Sequence, residues 1–268
     1  MPVLDERGIT IVKPWELSKT TALTAAMMNT LVGKETLMLG VGTFTVPTAA
    51  GLIVANTGNT VAVPVNFVGV APEVSIIKSA LGPFIYAGAD TTFTKLRLEG
   101  GGSVFSTIGT GTFTLRFEHC HLIADDNTIN CGGSGTYVCE YVNCLITGNG
   151  NAIRPTAGTH RFFNCDIRSS GADYTTFAAN RGVYLTTAGV TIDIYGGRIY
   201  VDQGGTSNVG VYASNGAVNL YGVDIQSAGS GTLADVQQAS SGVIKIYGSA
   251  YDTQKTSGTL YDLMRREV

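Results

Sequence analysis

One word returns three times between Ile192 and Tyr251: Ile192-Asp-Ile194-Tyr-Gly-Gly197-Arg-Ile199, Val218-Asn-Leu220-Tyr-Gly-Val223-Asp-Ile225 and Ile244-Lys-Ile246-Tyr-Gly-Ser249-Ala-Tyr251. Three further copies lie upstream, at Leu115-Arg-Phe117-Glu-His-Cys120-His-Leu122, Cys139-Glu-Tyr141-Val-Asn-Cys144-Leu-Ile146 and His160-Arg-Phe162-Phe-Asn-Cys165-Asp-Ile167. Each copy alternates apolar and outward residues at period two, which is the period of a strand, and then slips by one residue. A slip of that kind is a corner, falling at Glu118-His119, Val142-Asn143, Tyr195-Gly196 or Tyr221-Gly222. A second marker precedes five of the six words in phase, at Ile129, Ile153, Val183, Val211 and Val236. Each repeat therefore supplies about three short strands, a unit that buries an apolar face only by stacking on its neighbours.

The pattern predicts an all-β chain folded as a single-stranded, right-handed parallel β-helix. Weaker copies at Leu37-Leu39-Gly42, Val65-Phe67-Val70 and Leu96-Leu98-Gly101 extend it to about nine coils of about 26 residues. At ~4.8 Å per rung, eight intervals make a core about 38 Å long. The coil carrying Ser170 to Arg181 is longer than the rest and should project a loop. A β-sandwich is the alternative, but it does not require the same word at the same phase in every strand pair. The expected organisation is an arm and capping helix over 1–34, the β-helix over 35–255 and a tail or cap over 256–268. Helical spacing of Leu23, Ala26, Met27 and Leu31, with Gly33 as C-cap, predicts that helix, and Ile9 to Val12 read as an extended arm.

Composition narrows the function. Charged residues make up 14% of 268 and glycines number 35, a turn-rich chain with little charged surface. A formal net charge of −3 provides no basic field to hold a nucleic-acid backbone, so nucleic acid is not an expected partner. The longest apolar runs are broken within a few positions, so no membrane span is expected. Met1 leads into Pro2, Asp5 and Glu6 without an apolar h-region, which predicts folding in the cytoplasm rather than export. Five cysteines, an odd number, then read as buried thiols.

Thr36 to Val46, with the pattern Thr-Leu-x-Leu-x-x-Gly-Thr-Phe-Thr-Val, followed by Asn66-Phe-Val-Gly-Val70 and the Ile-Tyr-Gly coils, resembles the pectate-lyase-like β-helix superfamily. More narrowly, it is similar to the β-helical bodies of phage tailspikes and related virion proteins. The resemblance covers roughly residues 35 to 255 and rests on positions that set architecture. It implies a homotrimer of parallel rods, contacts with other capsid or tail proteins, and in some members a glycan-degrading site on a lateral face. Fold does not by itself give activity.

Glycan hydrolysis needs two carboxylates, about 5–5.5 Å apart for retention or about 6.5–9.5 Å for inversion. The outward column after the small residue reads His121, Leu145, Asp166, Arg198, Asp224, Ala250, placing Asp166 and Asp224 two coils apart with Arg198 between them. The neighbouring column reads Arg116, Glu140, Arg161, Asp193, Asn219, Lys245 and alternates sign in the same way, so both are read as register-setting surface charge. Asp125 and Asp126 form a second acidic pair in a turn, where Asp is favoured as a turn former. The Gly-His-Gly and Arg-x-Lys words of galacturonan hydrolases and a clustered-Asp calcium site are missing from the sequence.

Cys120, Cys144 and Cys165 share one coil position and should stack as an internal ladder, a linear arrangement unsuited to tetrahedral zinc. No metal or cofactor is expected there. His119, His121 and His160 read mainly as turn and surface residues, and Gly132 to Gly135 and Gly204-Gly205 as turns without a following helix, hence not phosphate loops. Tyr195, Tyr221 and Tyr247 fall at one corner of successive coils and form an outward stripe suited to sugar rings or a sister subunit, with plain corner packing as the alternative. The reading that follows is a structural virion component, a spike, fibre or capsid-decorating module located in the virion after assembly in the host cytoplasm. A polysaccharide-degrading enzyme and a bacterial surface adhesin are the alternatives.

Overall fold

The computed structural model describes residues 35–46, 65–79, 90–104, 112–125, 127–132, 136–170, 180–203, 207–229 and 231–252, together with six two-residue strands. The helix expected near residues 15–32, the loop tip at 171–179 and the last six residues lie outside the described residues. What is described is all-β. Among the described residues no helix is long and apolar enough to cross a membrane.

The strands form stacked columns of parallel pairs. The first column runs through Glu35–Leu39, Val65–Gly69, Thr91–Thr94, Thr112–Glu118, Thr136–Val142, Thr159–Ser169, Thr191–Gln203, Ala217–Tyr221, Val243–Tyr247 and Tyr261–Asp262. The second runs through Gly42–Val46, Ser75–Ser79, Arg97–Gly100, His121–Ala124 and Leu145–Gly148, then through the later halves of Thr159–Ser169 and Thr191–Gln203, to Asp224–Gly229. A third stacks Asn151–Ile153, Asn180–Leu185, Ser207–Ala213, Thr232–Gln238 and Thr256–Ser257. The chain visits the columns in turn and pairs each strand with its counterpart one repeat away, a pairing compatible with a parallel β-helix. Val3–Leu4 and Thr10–Ile11 pair antiparallel with each other, so these residues of the expected arm close on themselves.

Register follows the repeat word. Phe67, Phe93, Phe117, Tyr141 and Phe162 are aligned rung by rung, fully buried, with successive ring centroids 4.9, 5.0, 5.2 and 4.4 Å apart. Ile194, Leu220 and Ile246 continue that inward column. Burial of identical positions in every repeat is what makes register unambiguous, because a one-residue slip would turn the whole apolar set outward.

Two upstream copies are phased differently from the sequence expectation. Arg97 pairs with His121 and with Ile76, so the small-residue position falls at Leu96 and Ser75 rather than at Gly101 and Val70. The Val65–Gly69 coil makes a longer corner through residues 70–74, tied down by Ser75 Oγ, which accepts from Val70 N and donates to Gly40 O.

The corner itself has one backbone solution. Lys95, His119, Asn143 and Asn164 have φ of 55, 51, 51 and 51°, and Gly196, Gly222 and Gly248 take the same place with φ of 65, 63 and 62°. The left-handed region turns the chain between columns, and glycine or asparagine occupies it at least cost. That requirement explains the recurrent Tyr-Gly word. Asn164 Nδ2 also donates to Asn143 Oδ1 at 3.0 Å, linking two corners.

Candidate functional site

The residue just before the corner points outward, and from the sixth described rung of the first column it is aromatic. Phe163, Tyr195, Tyr221 and Tyr247 stack face to face, with centroids 5.1, 4.6 and 4.5 Å apart and ring planes within 8° of parallel. Rung spacing is close to the preferred separation of offset rings, so the sheet pre-sets the ladder. Tyr195 is 37% exposed and the others are half-buried. Phe163 was not anticipated as a member. Its phase in the word was visible, but its coil ends in Phe-Asn rather than Tyr-Gly.

Two of the acidic candidates, Asp166 and Asp224, lie on one outward column and both are hydrogen-bonded. Asp166 aligns with Arg198, and Arg198 with Asp224. Asp166 Oδ2 accepts from Arg168 and, at 3.0 Å, from Arg198. Partial burial pushes its carboxyl up, but the two guanidinium groups outweigh that and hold it below the ordinary aspartate value. Such a group stays ionised and is unsuited to protonating a leaving group. Asp224 accepts from Gln226 Nε2 at 3.0 Å. Asp125 is exposed at the end of a strand, and Asp126 lies outside the described residues.

The neighbouring column is a register device. Glu140 bridges Arg116 at 2.8 Å and Arg161 at 3.5 Å, and Asn219 donates to Asp193 at 2.7 Å. On the third column, Arg181 lies 4.1 Å from the ring centroid of Tyr184 and 4.8 Å from that of Tyr212. No sequence signal tied that arginine to those rings, since the three residues fall in two separate coils.

A groove of about 390 Å³ opens beside the last full rungs, lined by Tyr200, Asp224, Ser227, Asp235, Tyr251 and Asp252 among others. Asp235 is buried there and accepts from the backbone N–H groups of Ser227 at 2.8 Å and Asp252 at 2.7 Å. It clamps two coils together.

The cysteines divide into two groups, all free and buried. Cys120, Cys144 and Cys165 share one position and donate to the carbonyl of the aromatic residue one coil back, Phe93, Phe117 and Tyr141, at 3.3–3.4 Å. Contact with Cys120 pushes the Cys144 thiol up to about 12, against the opposing contact with Cys165. Contact with Cys144, then burial, raises Cys165 as well. Cys144 and Cys165 therefore stay protonated, which suits donors to carbonyls and not metal ligands or nucleophiles.

Cys131 and Cys139 differ. Together with His160 they form a fully buried trio whose ligand atoms all lie within 4.8 Å of one another. Burial pushes the Cys139 thiol up, but the Cys131 thiol and the His160 imidazole pull it down to about 6, while burial drives Cys131 well above its ordinary value. His160 was expected among turn and surface histidines. It is instead in the core, because its coil position aligns with Cys139 on one side and Ile192 on the other. His119 sits at the corner and His121 is half-buried on the outward column, as their phases required.

Comparisons with protein-family models, with curated proteins and with solved structures find no match. The resemblance to pectate-lyase-like and virion β-helices therefore rests on the coil words alone.

Proposed function

We propose that the chain is a right-handed parallel β-helix of about nine coils, capped by an N-terminal helix, that serves as a non-enzymatic structural module of a phage-type virion. In this reading it is a spike, fibre or capsid-decorating protein, works as a homotrimer, and is assembled in the host cytoplasm. The observation that carries the proposal is the outward ladder Phe163–Tyr195–Tyr221–Tyr247. A rigid aromatic stripe about 14 Å long, parallel to the stacking direction, matches a like stripe on a sister rod without ordering any loop. The neutralised Asp166 weighs against hydrolysis on the adjoining column.

The test is oligomeric state. Sedimentation or native mass spectrometry is expected to give a trimer, and Tyr195→Ser, Tyr221→Ser and Tyr247→Ser combined should release monomers that keep the far-ultraviolet spectrum of the parent. A stable monomer of the unaltered chain refutes the proposal. The groove bearing Asp224, Asp235 and Asp252 between Tyr200 and Tyr251 favours a second reading, cleavage of host-surface glycan. Release of reducing ends or unsaturated sugars, lost in Asp224→Asn, would establish it.

A further inference from the structure

The core of a stacked β-fold is apolar, so a cluster of two thiols, an imidazole and a phenol inside it needs a reason. Cys139 and His160 occupy adjacent rungs of the first column, and Cys131 approaches them from the loop after Ile129. All three are fully buried. His160 Nε2 lies 3.0 Å from Ala157 O. A carbonyl only accepts, so Nε2 carries a proton, which leaves Nδ1 as the ring atom able to act as a ligand. That Nδ1 has no hydrogen-bond partner, although the residue has no exposure to water. Tyr141 Oη is likewise buried, and the polar groups beside it are the Cys131 and Cys139 thiols.

A buried imidazole nitrogen and a buried phenol oxygen whose polar neighbours are only weakly hydrogen-bonding thiols are poorly satisfied in an apolar core unless a ligand joins them. An imidazole whose other N–H is held by a backbone carbonyl is the arrangement that orients histidine as a metal ligand. Two thiolates with one neutral imidazole make a soft donor set, and a divalent cation leaves the buried site with no net charge. With Zn–S of about 2.3 Å, tetrahedral ligation brings two sulfurs to about 3.8 Å, a contraction of about 1 Å or less from the present limit of 4.8 Å.

We propose that Cys131, Cys139 and His160 form a buried structural site for zinc(II), with Tyr141 Oη placed as the fourth donor. Binding exchanges the two S–H protons for the cation, Zn²⁺ + 2 RSH → Zn(SR)₂ + 2 H⁺, with the protons passing to solvent. Because the site is closed, the ion enters as the coils assemble and locks the loop at Cys131 onto the first column.

The experiment is elemental analysis of the full chain purified after growth in zinc-supplemented medium, and after refolding with zinc, cobalt(II), copper(I) or no metal. One zinc per chain, and thiolate-to-cobalt charge-transfer absorption in the cobalt form, are expected. Both should fall to background in Cys139→Ala and in Cys131→Ala, and remain in Cys144→Ala, which alters only the other ladder. If Cys139→Ala does not fold, Cys131→Ala carries the test, since its side chain leaves the first-column rungs intact. A folded parent chain without bound zinc overturns the proposal. So do a Cys131–Cys139 disulfide found by mass spectrometry, binding of copper(I) alone, or zinc retained in both alanine variants.

Discussion

Two adjacent glycines, Gly196 and Gly197, are both left-handed, with φ of 65 and 81°, and differ in the steric contact that a side chain would meet. A Cβ on Gly196 would meet nothing within 4 Å, so only its φ of 65° penalises a side chain. The left-handed region costs an L-residue about 1–2 kcal/mol. Loss of unfolded-state freedom on replacing glycine by alanine offsets about 0.4–1 kcal/mol of that. Gly196→Ala should therefore destabilise by about 0.5–1 kcal/mol. Gly196→Asn should be neutral or slightly stabilising, since asparagine tolerates this region and position 196 stacks on Asn164, whose amide already bonds Asn143. Gly197→Ala is different in kind. Its Cβ would lie 2.1 Å from Cys165 O and 2.7 Å from Cys165 N, backbone atoms of the rung beneath that cannot rotate away. A cost above about 3 kcal/mol follows, in the range of exceptional substitutions caused by overpacking and backbone strain. Equilibrium urea unfolding followed by far-ultraviolet circular dichroism, with midpoints converted through the common slope, reads all three. Equal losses for Gly196→Ala and Gly197→Ala, or a Gly196→Asn variant weaker than Gly196→Ala, would refute the corner argument.

Two further outcomes follow from the core and the outward column. Phe117→Ala removes a ring held between Phe93 at 5.0 Å and Tyr141 at 5.2 Å, and should cost about 3–5 kcal/mol in the same unfolding assay; a loss under about 1 kcal/mol would mean that the stack is not a packed core. Asp166 has a depressed carboxyl in the folded chain, so its contribution is fully present above the unfolded value near ~3.9 and is lost as pH falls through the lower folded value. The three side chains are about a third or more exposed, which limits that contribution to under about 1 kcal/mol. Arg198→Ala should therefore move the carboxyl resonance of Asp166 toward the ordinary aspartate titration, and an unchanged NMR titration curve would show that the ion pair does not form in solution.

Much of the lateral surface was legible because a stacked repeat turns sequence phase into spatial alignment. Asp166, Arg198 and Asp224 share a column, as do Tyr195, Tyr221 and Tyr247, and both alignments could be read by counting from the small residue of each word. The groove near Asp235 was not legible. Asp235 lies in a different strand of its coil from Asp224, and their proximity depends on how the second and third columns meet. Nor was the difference between the two cysteine groups. Cys131 carries no word position, so counting could not place its sulfur near Cys139 and His160.

The period-two words with their one-residue slip determined by themselves that the chain is β, parallel and stacked. Only a repeat that buries the same positions in every coil satisfies all the apolar residues at once. Even the left-handed corner was implicit, in the glycines and asparagines that recur before the small residue. The tertiary structure decided what depends on distances across the interior rather than along the stack: the neutralisation of Asp166 by two arginines, the clamp at Asp235, and the meeting of two thiols with an imidazole. Contacts along the stack repeat with the sequence, whereas contacts across it depend on loop paths and side-chain directions that no single repeat encodes.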